Sequence, residues 1–260
     1  MKFFCFIIIC FALFFSCKKI NSPKPEPLPP LNLPIDTTGF LEIHINNTVN
    51  DTPLVLNSQS YVNANSDTFT ITRYKYYISN VELKTAQGFT YKEPDSYYLI
   101  DQSNLNSLHL MIKGIPKEDY NSVTFLLGVD EAKNIGGVQT GALAPSNNMY
   151  WPWNQGYIMA KLEGKSPQSP DFNKSIAYHI GGYTGKFNAL RMVTLNFPNN
   201  AMVTTNHTPI LNLKAELTEW FKPPFLVDFS LDYSVTGVTQ ISSDIADNYS
   251  DMFTVTSLVN

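Results

Sequence analysis

Apolar and polar residues alternate with a period of two along much of this chain, and that pattern restricts it to a β architecture. In Phe40-Leu41-Glu42-Ile43-His44-Ile45 and in Thr68-Phe69-Thr70-Ile71-Thr72 the alternation is clean. A strand points successive side chains to opposite faces, so such a segment can bury one set and leave the other in water. Tyr, Ile and Val, which suit a pleated half-buried surface, carry the same character through residues 74–83. Further strands are predicted at 97–100, 123–127, 157–162, 176–180, 191–197, 210–217, 225–233 and 252–258. Clusters of Gly, Pro, Asn and Asp separate them at about ten-residue intervals, the spacing of a sandwich or barrel. Short helices are predicted only near 131–134 and 243–249, and no repeat of fixed period is visible. The expectation is an all-β fold, an antiparallel β-sandwich with long loops, in one domain over residues 39–260.

The N-terminus addresses the compartment. Met1-Lys2 is a minimal basic start, and residues 3–15 are apolar. That run is shorter than the roughly 20 residues a spanning helix needs and fits a secretory signal. It ends in Ser16-Cys17, a small residue before a cysteine, which resembles a bacterial lipobox with Phe14 in place of the usual leucine. Residues 1–16 then read as a lipoprotein signal peptide and Cys17 as the lipidated residue. Residues 17–38 read as a tether, with six prolines between Ser22 and Pro34. A proline-rich segment favours extended polyproline II, so at about 3.1 Å per residue it holds a domain some ~50 Å from a membrane. Lys18 and Lys19 follow the cysteine, which points to a lipid anchor in the outer membrane facing the periplasm.

Processing at Cys17 removes Cys5 and Cys10 and leaves no free thiol, which excludes zinc ribbons and iron–sulfur clusters. The processed chain carries 17 basic and 22 acidic side chains. No basic cluster tracks phosphates, so nucleic acid is not an expected partner. Phosphate-binding loops, dinucleotide fingerprints, nucleophile elbows and His-Glu-x-x-His motifs are absent, which favours a binding protein over an enzyme. The adjacent carboxylates Asp130 and Glu131 read as a solvated turn and helix cap.

Residues 128–164 hold Met149-Tyr150-Trp151-Pro152-Trp153 among glycines and polar residues. Proline inside a core strand removes a ladder hydrogen bond, so this segment reads as a shaped loop presenting aromatics at a site. Of the four histidines, His44 lies in the first alternating strand on the face opposite Ile43 and Ile45, and His179 precedes Gly181-Gly182 at a strand end. His109 and His207 read as structural or surface residues.

Gly128-Val129-Asp130, Asn134, Gly137, Gln139-Thr140-Gly141-Ala142-Leu143, the run Met149 to Tyr157 and Lys161-Leu162-Glu163-Gly164 together resemble the signature of the MbnP-like family. Tyr76-Tyr77-Ile78-Ser79-Asn80-Val81 and Tyr178–Gly182 extend that resemblance over nearly the whole domain. Members of this family are periplasmic partner proteins of methanobactin operons and their relatives. The resemblance implies copper held by two histidines beside a tryptophan oxidised to kynurenine, and a dihaem peroxidase-like enzyme as the oxidising partner. Carried onto this chain, it makes His179 and His44 the expected ligands and Trp151 or Trp153 the oxidised residue. Imidazole suits copper, and a thioether such as Met149 favours its cuprous state. The expectation is one pocket in which His44 and His179 approach each other and the tryptophan loop. The rival reading is a carbohydrate- or peptide-binding envelope module that stacks ligands on Trp151, Trp153 and Tyr157.

Overall fold

The computed structural model describes residues 37–151 and 156–260. The first alternating segment becomes β1 (Thr38–Val49), which buries Leu41, Ile43 and Ile45 and turns Glu42 and His44 outward. The chain continues through β2 (Thr52–Pro53), β3 (Ser60–Val62), β4 (Thr68–Thr85), β5 (Thr90–Lys92), β6 (Tyr97–Asp101), β7 (His109–Pro116) and β8 (Asp119–Leu127). A short helix α1 (Glu131–Ile135) and two 3-10 turns lead to β9 (Tyr150–Trp151) and β10 (Gly156–Lys165). Then follow β11 (Ser175–Gly181), β12 (Arg191–Met202), β13 (Ile210–Glu216), β14 (Ser234–Gly237), helix α2 (Gln240–Tyr249) and β15 (Phe253–Val259).

These strands form two sheets. The smaller has the order β15-β13-β1-β2, with β7 also paired to β1. The larger has the order β12-β8-β4-β10-β11-β14, with β3, β5 and β6 added to β4 and β9 to β10. Both sheets bury apolar residues in one cluster, among them Ile43, Leu110, Leu213, Tyr76, Tyr178 and Ile180. That shared core makes the fold a sandwich, as the alternation predicts. Most pairings are antiparallel, but β1–β13 and β11–β14 run parallel.

Residues 225–233 depart from expectation, because they form no strand. Asp228 turns the chain there: its carbonyl accepts from Leu231 and Asp232 N–H, and its carboxylate accepts from Ser230 N–H. Such local bonds compete with a sheet ladder. Val227 and Phe229 still reach the core, and Phe229 meets Phe69 and Phe221 edge to face. Burial without a ladder explains why an apolar pattern there imitates a strand.

In the middle of β4, Asn80 takes a left-handed backbone, φ 53°, a conformation asparagine tolerates better than most residues. The register to β8 shifts between Ser79 and Glu82 at this point. Asn80 thereby reaches Asp130 across the sheet edge at 3.2 Å, which begins the attachment of the long segment after β8.

Candidate functional site

Tyr76 joins the shared core while its neighbour Tyr77 joins a second cluster with Val129, Leu143, Met149, Trp151, Tyr157, Ile158 and Met159. Adjacent strand residues face opposite ways, so this second cluster lies on the outer face of the larger sheet. The segment between β8 and β10 folds back over that face. Asp130 caps α1 by accepting from Lys133 N–H at 3.2 Å and also accepts from the Tyr97 hydroxyl. Burial would raise its pKa, but the hydrogen bonds from Tyr97, Lys133 N–H and Asn80 outweigh it and hold the carboxyl below the usual range. Tyr77 donates to Ala142 O at 3.0 Å and Tyr157 to Leu143 O at 2.9 Å, so two sheet tyrosines hold the segment. Two ammonium groups complete the attachment, Lys75 reaching Asn147 O and Lys161 reaching Asn148 O.

Met149 and Trp151 are thereby buried, at 0% and 5% exposure. The expected display of aromatics on a shaped loop is corrected in this respect: both side chains pack as a small second core. Trp151 is a core residue despite the proline beside it because β9 is only two residues long and pairs with Gly156 and Tyr157 at its own end. Trp153 lies outside the described residues, as do Cys17, the signal peptide and the tether.

His179 sits on the same outer face, since Tyr178 and Ile180 on either side of it enter the shared core. Its Nε2 is 2.8 Å from Glu163 Oε1, and the other carboxylate oxygen is 2.5 Å from Arg73 Nη1. The His179 hydrogen bond first, and then the Arg73 charge, hold Glu163 below the usual carboxylate range, although burial opposes them. Opposite His179 in the ladder stands Lys161, itself buried, whose pKa is lowered by desolvation. Two residues along β11, a Cβ on Gly181 would lie 2.2 Å from the Trp151 ring. Only glycine lets the indole lie there, so Trp151 is seated on the His179 face. An ionised Glu163 can only accept, so the His179 nitrogen beside it carries a proton, and Nδ1 offers its lone pair when the ring is neutral.

The structure does not bring His44 to this place. His44 stands on β1 in the smaller sheet, between the core residues Ile43 and Ile45. His179 and His44 thus point away from one core on opposite sheets, which pack about 10 Å apart. The expected single pocket of both histidines is corrected on this ground: His44 does face away from Ile43 and Ile45, but His179 faces outward from the other sheet. His44 Nε2 contacts Glu42 Oε2 at 2.7 Å, and its ring meets that of His109 at 4.3 Å between centroids. His109, read from sequence as structural, is thus the histidine that His44 meets. Strand register decides this, and residues 65 positions apart carry no local signal of it. Glu163 and Lys161 were also missed as site residues, although two charges within an otherwise apolar strand are a readable sign. Among the described residues, no group of three or more His, Cys, Asp or Glu is placed to hold a metal ion.

The family model of MbnP matches residues 38–240. Among solved structures, MbnP from Methylosinus trichosporium shares this fold with a TM-score of 0.52 at 13% identity, covering 78% of this chain and 83% of that one. No curated protein matches the chain. The family match runs from β1 to the start of α2 and includes the covered face with His179 and Trp151, leaving out only β15 of the strands, and on it the chain belongs to the MbnP family.

Proposed function

We propose that this protein handles copper in the bacterial cell envelope, with lipidated Cys17 as its anchor and His179 as a metal-facing imidazole beside Trp151. The observation that supports this reading most is the seat of the Trp151 indole on Gly181, on the same sheet face as His179. The donor set fits copper in chemistry. His179 Nδ1 is a borderline nitrogen ligand held by the Glu163–Arg73 pair, the arrangement in which an outer carboxylate orients an imidazole. Bound there, copper would supply a soft, redox-active centre. The chain's part is to fix the imidazole, keep its tautomer and shield the indole from bulk water.

Kynurenine formation at Trp151 by a dihaem peroxidase-like partner belongs to the same reading. At 5% exposure the ring is shielded from direct contact, so the partner would take up four electrons from it at a distance, while water would supply the oxygen and C2 would leave as formate. Of the aromatics that the rival carbohydrate- or peptide-binding reading uses, Trp151 and Tyr157 are buried in packing, and Trp153 lies outside the described residues. Copper titration of the purified full chain tests the proposal. His179→Ala should lose a bound equivalent, and mass analysis of the Trp151 peptide from the native host should show an oxidised residue. Full copper stoichiometry in His179→Ala would move the site elsewhere.

A further inference from the structure

On the other sheet, β1 and β7 set four donor-bearing side chains in a square. His44 stands directly opposite His109, and Glu42 directly opposite Met111. All four share the outer face, because Leu41, Ile43 and Ile45 on one strand and Leu110 and Ile112 on the other enter the core. The two imidazole rings lie 4.3 Å apart at 70° to each other. We propose that His44, His109 and Met111 form a second copper site, with Glu42 as the carboxylate that orients His44. This goes beyond the His179 reading and uses none of its residues.

Three points of chemistry carry it. Glu42 engages His44 Nε2 at 2.7 Å, which leaves Nδ1 as the ring nitrogen available to a metal. His109 is exposed, and among the described residues its ring has no hydrogen-bond partner to displace. Bonds of about 2.0–2.1 Å from a metal to imidazole require the two coordinating nitrogens to lie about 3–4 Å apart. Rings at 4.3 Å between centroids reach this by rotation about χ2. Two imidazoles with one thioether select copper over hard cations, and the thioether favours the cuprous ion. The neighbour on the far side of His44, Asn212, is already bonded to Ser257 Oγ at 3.0 Å and does not compete.

The test is titration of the purified full chain with copper(I), against a competing chromophoric chelator, and separately with copper(II). His109 is an exposed edge-strand residue, so His109→Ala should fold and should lose one copper equivalent that His179→Ala retains. Glu42→Gln should weaken the same equivalent by about 10- to 100-fold, as outer-shell changes do, and Met111→Leu should weaken copper(I) more than copper(II). The nitrogen hyperfine pattern of bound copper(II) should simplify in His109→Ala. Unchanged stoichiometry in His109→Ala overturns this site even if His179→Ala loses its copper. Loss in His109→Ala with none in His179→Ala keeps it and removes the His179 reading. A chain that binds no copper at micromolar protein overturns both.

Discussion

The two outer faces of the sandwich are built in opposite ways. That of the larger sheet is covered by the segment between β8 and β10, which turns Met149 and Trp151 into a second core. That of the smaller sheet leaves His109 exposed, and it meets the half-buried His44 there. Each face carries a histidine held by a carboxylate, Glu163 for His179 and Glu42 for His44. The difference teaches what a covering segment adds. Under it, Lys161 is buried and Glu163 is kept ionised by His179 and Arg73. On the smaller sheet the neighbouring strand β7 instead brings a second imidazole, that of His109, against His44.

The largest expected effect falls on the covered face. Trp151→Ala should destabilise the fold by about 3–5 kcal/mol, the usual range for deleting a buried tryptophan. A denaturant midpoint shift would measure it. A loss under ~1 kcal/mol would mean that the segment packs loosely and that the two faces are not so different.

The smaller sheet is pinned at its end rather than across its face. Glu216, buried where β13 ends, accepts from Thr48 Oγ1 at 2.9 Å, Asn50 N–H at 2.8 Å, Asp51 N–H at 3.0 Å and Thr218 Oγ1 at 2.6 Å. Burial alone would raise its pKa, but these bonds bring it down to about 2 from an ordinary 4.5. A depressed carboxylate contributes stability that is complete above the unfolded value and is lost as pH falls from there towards the folded one. The contribution is on the order of 3 kcal/mol. Glu216→Gln should therefore cost about 2–3 kcal/mol at neutral pH and flatten the acid limb of the stability profile between pH 4.5 and 2. An unaltered acid limb would show that this anchor does not hold the bare sheet.

The smallest effect sharpens the contrast. Without metal, His109→Ala on the bare face should change stability by no more than about 0.5 kcal/mol, as surface substitutions do. Thermal unfolding would detect a larger loss, which would mean that the histidine pair is structural rather than a donor pair.

Local patterns foretold much of this architecture. Alternation identifies β1, β4 and β11 because a half-buried strand must alternate whatever its partners are. It misreads residues 225–233, where Asp228 closes a turn while Val227 and Phe229 are buried by tertiary packing. The proline of Trp151-Pro152-Trp153 rightly marks an irregular segment, but irregular backbone does not imply exposed side chains, and Met149 is fully buried.

By itself, the sequence determined the β class, the family motifs and the outward face of His44, since these depend on neighbours within a few residues. Tertiary structure alone decided which sheet each histidine belongs to, that His44 meets His109 instead of His179, and that Trp151 rests on Gly181. The physical reason is that strand register and sheet order come from pairings between distant segments. A period of two records which way a side chain points, but not what stands opposite it.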